Sequence, residues 1–162
     1  MPHAKPSDEV ALNAAQVPIA RYLSRMHERI HPIFAEQFLP ALDKLPASSP
    51  LNAIDMSTNI EIILDGIDGH VIERGVIKSS GVTAFDIGVL DSVERASPFG
   101  VPPSEIVSPD GHVYMHWEFW RNPDFACSTY FTHPILLRTA SDSAPHESPV
   151  PSTTPRGGSE GR

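Results

Sequence analysis

The sequence has few of the features that crosslink or anchor proteins outside the cytosol. Its 162 residues include one cysteine, which excludes an internal disulfide. No run approaches the roughly 18 apolar residues that cross a bilayer, and the opening residues 1–5 lack the apolar stretch of a secretory signal. We therefore expect either a cytosolic protein or a fragment of a longer one.

Basic residues are also scarce, with 12 Lys and Arg against 20 Asp and Glu and a formal net charge of −8. Because phosphate binding needs a basic stripe, this balance argues against a nucleic-acid partner. The nucleophile-elbow, phosphate-loop and dinucleotide-binding motifs are all missing. We expect no cofactor and no catalytic residue, and hence a protein that is not an enzyme.

One enzyme-like motif is nevertheless present. His27 and His31 flank Glu28 in the H-E-x-x-H pattern of zinc proteases, but a catalytic zinc needs a third protein ligand, which the following residues do not supply. Pro32 also disturbs the turn that would hold the ligands. We interpret the histidines as ordinary residues beside a buried stripe, with no metal, and Cys127 as a half-buried apolar residue. A zinc-dependent hydrolase is the alternative.

Proline is abundant, with 17 residues, and composition divides the chain into three parts. Residues 1–16 have no clear hydrophobic period and are predicted to be a flexible lead. Residues 139–162 are rich in Ser, Thr, Pro and Gly, a composition that cannot bury enough apolar surface to fold, so a disordered tail is predicted there. The folded domain is expected over residues 17–138.

The domain opens with amphipathic helical sequence. Pro18 suits a first helical position, and apolar residues follow at helical spacing to Ile30. Pro32 interrupts this pattern, and a second short helix or a kinked continuation is predicted to about Leu45.

A β-hairpin is predicted next, with strands at residues 58–64 and 70–78. The turn between them contains Gly66 and Gly69, which supply the positive φ angles that a hairpin turn needs. Gly75 disturbs the alternation of the second strand and indicates a bulge or a close contact with a helix.

After the hairpin, Thr83 is predicted to cap a helix, with Asp86 placed as in a capping box, and Pro98 ends it. Residues 112–120 alternate apolar and polar side chains, which predicts a third strand. Residues 126–137 hold enough apolar side chains for a final short strand. The fold class is α+β, with a three- or four-stranded antiparallel sheet packed against helices.

Several short motifs lie at these turns, caps and strands, between about residues 51 and 120. Their order resembles the C-terminal domain of the TonB and TolA energy transducers, and the S-S-G-x-x-x-F-D stretch is the most specific of them. The motif residues, interpreted as structural, are Ser79, Ser80, Gly81, Phe85, Asp86, Pro102, Pro103, Trp117 and Phe119.

This resemblance implies a periplasmic, non-catalytic binding module. In the full-length protein it is tethered to the inner membrane, where a motor complex drives it, and it grips a segment of an outer-membrane or periplasmic protein. Domains of this kind add the partner segment to the edge strand that matches residues 112–120. The side chains implied in partner binding are His112, Tyr114, His116, Glu118 and Trp120.

The sequence also departs from the family. It contains neither the membrane anchor nor the long proline-rich linker of a transducer, so the resemblance implies an anchor upstream in a longer protein. If residues 126–137 pair beside residues 112–120, the binding edge is already occupied, as it is in dimers or closed forms of such domains. The partner and the process powered, which could be transport, motility or secretion, stay open, as does a scaffold domain with the same fold.

Overall fold

The structure is a computed structural model that describes residues 6–137, with side chains from Gln16 onward. The predicted disordered tail, residues 139–162, lies outside the described residues, as do residues 1–5 of the predicted flexible lead. The domain limits at residues 17 and 138 remain predictions.

The first helix, α1, runs from Pro6 to Ile33. The predicted start at Pro18 is therefore wrong, and residues 6–16 of the predicted lead lie in the helix. Pro32 does not end it either. A proline removes one intrahelical donor, but the apolar stripe continues past it to Phe34, which is completely buried. Burial of this stripe outweighs the lost hydrogen bond.

Directly after α1 the backbone widens into a π-helical turn, Phe34–Phe38, and resumes as a short helix, α2, Leu39–Asp43. In this turn the hydrogen bond spans five residues, from the Leu39 N–H to the Phe34 carbonyl. The predicted helical continuation is thus confirmed, and it ends close to the predicted Leu45.

Four antiparallel strands form one sheet in the order β2-β1-β3-β4. The strands are β1 Ser57–Asp65, β2 Val71–Lys78, β3 His112–Trp120 and β4 Thr132–Ile135. A third long element is helix α3, Thr83–Ala96, and short 3-10 turns lie at Pro50–Asn52, Ser104–Ile106 and Thr129–Phe131. The α+β class, the hairpin, the third strand and the final short strand are confirmed.

One face of the sheet packs against the helices. Alternate residues of β1 and β3 are buried along the whole of both strands, as their period-2 patterns predict. The ring of Phe34 meets that of Phe119 on β3 edge to face at 5.1 Å, and that of Phe85 on α3 at 6.2 Å. These rings join the π-helical turn, the sheet and α3 in one core.

Glycines hold the β1–β2 turn close to two other loops. Gly69 has a φ of +71°, as predicted, and a Cβ there would lie 2.1 Å from the Gly100 carbonyl oxygen. The reason predicted for Gly66, a positive φ angle, is wrong. Glycine is needed at this position for space, because a Cβ would lie 2.4 Å from the Gly111 carbonyl oxygen. The prediction for Gly75 is also wrong, because it lies at neither register shift and no atom comes within 4 Å of its missing Cβ.

Candidate functional site

Helix α3 begins without the predicted side-chain cap. Its N-cap is Val82 and not Thr83, and Val82 makes no side-chain bond. The Asp86 carboxylate instead reaches back to the preceding loop. It accepts hydrogen bonds from the N–H and the hydroxyl of Ser80, at 3.0 and 2.7 Å, and from the Ser79 hydroxyl. The motif at residues 79–86 therefore ties the end of β2 to the start of α3.

The remaining motif residues lie in the core or in the loops between the main elements. Phe85, Trp117 and Phe119 are completely buried in the core. Gly81 has a φ of +86°, which favours glycine. Pro102 is buried, and Pro103 is the N-cap of the 3-10 turn that follows.

The outward face of β3 carries the side chains predicted for partner binding, all of them half-buried. They are His112, Tyr114, His116, Glu118 and Trp120. Two of them are engaged by neighbours on the same side of the sheet. His116 Nε2 lies 2.9 Å from a carboxylate oxygen of Glu61, and the Tyr114 hydroxyl donates to Asp110.

The backbone of β3 is not a free edge, contrary to the prediction. β1 pairs with all of β3 on one side, and β4 pairs with Tyr114–Trp117 on the other. Beyond β4, the His112 carbonyl accepts from the Ser108 N–H at 2.8 Å, and the Trp120 N–H donates to the Ala126 carbonyl at 2.9 Å. The alternative raised from the sequence, an occupied edge, is what this structure contains.

The strand that occupies this edge is short. β4 has four residues, and its Pro134 lies opposite Met115, at a position whose backbone groups point away from β3, so the missing N–H affects only the outer edge of β4. Just beyond β4, Leu136 and Leu137 are exposed. β4 is therefore held along β3 by few backbone hydrogen bonds.

Trp120 is packed against the connection between β3 and β4 instead of standing free. Its ring lies 5.8 Å from that of Phe125 and 5.5 Å from that of Phe131, by ring centroids. Of the five predicted partner-binding side chains, Trp120 is thus the one whose outward face is already covered by aromatic residues of the same chain.

The H-E-x-x-H residues of α1 face a residue that sequence reasoning did not connect with them. Cys127, between β3 and β4, has its Sγ 3.7 Å from Nδ1 of His27 and 3.8 Å from Nδ1 of His31. The His27 ring also donates to the Cys127 carbonyl at 2.8 Å. Both histidines and Glu28 border a cavity of about 310 Å³. We call His27, His31 and Cys127 the His–Cys cluster.

Cys127 is completely buried, and not half-buried as predicted. Burial raises the pKa of its thiol to about 12, so the thiol is protonated at neutral pH in the absence of a cation. Cys127 therefore lacks the exposed, low-pKa setting of a nucleophilic cysteine.

A second group of ligand-type side chains lies in the β1–β2 turn and consists of Asp65, Asp68 and His70. Asp68 accepts from the His70 N–H at 3.0 Å and from the His70 ring. These hydrogen bonds lower the pKa of Asp68 and raise that of His70. Asp65 in turn accepts from the Ile67 N–H at 2.7 Å. The turn itself explains why these residues lie together.

No helix within residues 6–137 is long and apolar enough to cross a membrane.

The fold is a small α+β module with helices on one face of an antiparallel sheet. The family described as TonB C terminal has a sequence model that matches residues 19–116. This match spans more than half of the chain, so the chain belongs to the TonB C-terminal domain family. No curated protein and no solved structure matches it.

Family membership places the chain among TonB-like energy-transducer modules. The domains of this family are periplasmic, generally non-catalytic and engaged with proteins of the cell envelope. Cys127 and β4 both lie beyond the matched residues 19–116, whereas His27 and His31 lie within them.

Proposed function

We propose that this domain binds an extended segment of an outer-membrane or periplasmic protein by strand addition along β3, in place of β4. In the full-length protein it would act as the non-catalytic, periplasmic end of a transducer that is tethered to the inner membrane and moved by a motor complex there. The observation that carries the proposal is the contrast between a regular nine-residue β3 and a β4 of only four residues.

Strand exchange at β3 is favourable on physical grounds. A longer partner segment could pair along more of β3 than β4 does, since β4 reaches only Tyr114–Trp117. Such a partner would replace the bonds that β3 makes with Ser108 and Ala126 as well as those with β4, and each backbone hydrogen bond that it forms contributes about 0.5–1.5 kcal/mol net. The outward side chains His112, His116 and Glu118 would then lie beside those of the partner and select among sequences.

The opposite edge of the sheet is less suited to strand addition. β2 is the outer strand there, and its register against β1 shifts at two places, which leaves Ile72 and Ile77 without opposite partners. Such bulges twist an edge strand away from regular pairing. Arg74 of β2 is also held to α3, where its Nε donates to the Leu90 carbonyl at 3.0 Å and one terminal nitrogen donates to Glu94 at 2.9 Å.

The test locks β4 in place. His116 and His133 face each other in the β3–β4 register. Cross-strand Cα atoms in such pairs are about 4.5–5.5 Å apart, which suits a disulfide. The double variant His116→Cys, His133→Cys is titrated with an extended peptide from a candidate envelope partner, and its backbone amide shifts are followed in the reduced and the oxidised state.

We expect the reduced form to bind, with shifts concentrated in residues 112–120 and 132–137. Oxidation should weaken binding at least about tenfold, which corresponds to roughly 1.4 kcal/mol. The reduced protein serves as the control for the two substitutions. Equal affinity in both states, or shifts confined to β2 or α1, would reject β3 as the binding edge. A change to a dimer on reduction would identify a second copy as the occupant.

A further inference from the structure

We propose that His27, His31 and Cys127 form a binding site for a zinc-class transition-metal ion that joins α1 to the connection between β3 and β4. The inference does not depend on strand addition at β3. It rests on three side chains from two distant parts of the chain, each offering one ligand atom, with the three atoms within 4.8 Å of one another.

The distances suit one tetrahedral ion. With Zn–S near 2.3 Å and Zn–N near 2.05 Å, tetrahedral angles place a sulfur and a nitrogen ligand about 3.6 Å apart. The Cys127 Sγ is 3.7 Å from the His27 Nδ1 and 3.8 Å from the His31 Nδ1. The two sulfur–nitrogen separations therefore need to change by only tenths of an ångström. The two histidine nitrogens lie within 4.8 Å of each other and would close to about 3.3 Å around the ion.

The donor set decides which metal fits. Two imidazoles and a thiolate suit zinc and related borderline or soft ions, whereas magnesium and calcium prefer oxygen ligands. A fourth ligand can come from the adjoining cavity, whose lining includes Glu28 and Asp124 as well as open space for water. Three protein ligands and one open position leave room for either a water molecule or a carboxylate.

A carboxylate lies near the second ring nitrogen of His31, slightly beyond hydrogen-bond distance. Its Nδ1 faces Cys127, while its Nε2 lies 3.7 Å from a carboxylate oxygen of Glu36. Metal-binding histidines commonly direct their second nitrogen to a carboxylate, which fixes the ring and strengthens the ligand. Glu36 belongs to the π-helical turn, and such turns occur often at functional sites.

The backbone on the cysteine side is also unusual. Ala126, directly before Cys127, has a φ of +30°, in a region that residues with a Cβ rarely adopt. Strained residues of this kind cluster at ligand sites, where the surrounding structure holds them. In the metal-free state the His27 Nδ1–H donates to the Cys127 carbonyl at 2.8 Å, and metal binding would exchange this hydrogen bond for a coordinate bond from the same nitrogen.

The experiment uses the whole chain without a histidine tag, stripped of metal by a chelator and kept reduced with a phosphine. Zinc is titrated by calorimetry, and Co²⁺ replaces it for absorption spectroscopy. We expect one ion per chain, visible bands typical of four-coordinate Co²⁺ and a thiolate-to-cobalt charge-transfer band. Zinc should abolish both sets of bands.

Variants assign the ligands. The partly exposed His31→Gln should weaken zinc binding by more than about 100-fold, and Glu36→Gln by about tenfold, as is usual for an outer carboxylate. Cys127→Ala should remove the charge-transfer band. His70→Gln is the matched control, because it removes a histidine from the only other ligand-type group in residues 16–137 and should leave binding unchanged.

The proposal is overturned by the absence of stoichiometric metal, by a zinc affinity unaffected by His31→Gln, or by a Co²⁺ complex without a thiolate band. If Cys127→Ala fails to fold, the wild-type cobalt spectrum and His31→Gln decide the question between them. Binding that is lost on His70→Gln would place the ion in the β1–β2 turn and also reject the His–Cys cluster.

Discussion

Asp86 is a nearly buried carboxylate on which three elements converge. Besides Ser79 and Ser80, the Thr58 hydroxyl of β1 donates to it at 2.6 Å. Burial acts to raise the pKa of Asp86, but the hydrogen bonds from Ser79, Thr58 and Ser80 together outweigh it, so its pKa lies below the ordinary value of 3.8. The ionised Asp86 carboxylate therefore stabilises the folded state fully above pH 3.8. This stabilisation is lost as the pH falls through the lower pKa that Asp86 has in the folded state.

We predict that Asp86→Asn lowers the free energy of unfolding by about 1–3 kcal/mol at pH 7, because an amide nitrogen replaces an oxygen that accepts from buried donors. The variant should also lose part of the decline in stability that the wild type undergoes below pH 4. Urea denaturation at pH 7 and pH 3 measures both effects. Asp91→Asn, at an exposed ion pair with Arg95 on the same helix, is the control and should change stability little. Equal losses for the two variants would contradict the role given to Asp86.

Gly69 and Gly81 illustrate two different reasons why a turn needs glycine, which are a positive φ angle and the lack of space for a Cβ. Both have φ near +80°, but only at Gly69 would a Cβ meet other atoms, the nearest being the Gly100 carbonyl oxygen at 2.1 Å. We predict that Gly81→Ala costs about 1–2 kcal/mol from backbone strain alone. Gly69→Ala should cost at least about 1 kcal/mol more, because the hairpin turn must move away from the loop after α3. Thermal and urea unfolding of both variants provide the comparison, and similar losses would argue against close packing of that turn.

At the scale of elements, the local pattern predicted the strands well and the helix ends poorly. β1 and β3 followed from alternation, because their burial repeats every second residue, whereas β2 followed from the turn residues before it, since its own burial does not alternate. The start of α1 could not be found in this way. Pro18 has the chemistry of a first helical residue, yet it lies within a helix that begins at Pro6. Propensity is a weak prior where neighbouring turns of helix continue on both sides.

The covered edge of β3 was predictable only as an alternative. Whether residues after β3 return to pair with it depends on contacts far apart in the chain, such as Trp120 with Phe131 and Arg121 with Leu51. No spacing within residues 121–131 reports these contacts. The sequence therefore indicated a final strand without placing it in the sheet.

Arg121, at the end of β3, is a nearly buried cation that joins this strand to α2 and the following loop. Its Nε donates to the Leu51 carbonyl at 2.7 Å, and one terminal nitrogen donates to Asp43 at 2.6 Å and to the Asn52 side chain at 2.9 Å. Asp43 is 68% exposed, so the carboxylate is the lesser part of this arrangement.

We predict that Arg121→Met lowers the free energy of unfolding by about 1–3 kcal/mol, because methionine fills the space of the aliphatic stem but leaves polar acceptors without a donor. Asp43→Asn should cost under about 1 kcal/mol, as expected for an exposed partner. Denaturation curves of the two variants test this ordering. A reversed order would mean that the ion pair, and not the buried donor, holds the end of β3.

At the scale of the whole molecule, the His–Cys cluster illustrates what a linear motif leaves out. The H-E-x-x-H pattern placed two ligands on one helix face, and the third was sought in the residues that follow. Cys127 is 96 residues beyond His31, and only the return of the chain after β3 brings it to α1. A single cysteine provides no ligand spacing that could be compared with known metal motifs. The sequence therefore suggested either a zinc hydrolase or no metal site, and not a metal ion that links a helix to a loop.

The cluster and the β3 edge are connected by a short stretch of chain. Only residues 128–131 separate Cys127 from β4. An ion bound between α1 and Cys127 restrains the segment from which β4 must swing away, so it should favour the state in which β4 covers β3. Two sites that favour different states of one element are coupled, and the coupling acts equally in both directions.

We predict that saturating zinc weakens the binding of an extended peptide at β3 by about fivefold or more, the lower end of the usual range for coupled sites. Saturating peptide should weaken zinc binding by the same factor. Calorimetric titrations in both orders measure the two factors, and His31→Gln is the control, since zinc should no longer affect its peptide affinity. If zinc and peptide both bind the wild type but neither alters the affinity for the other, release of β4 does not involve the Cys127 connection, and the segment beyond Ser128 must move independently of the cluster.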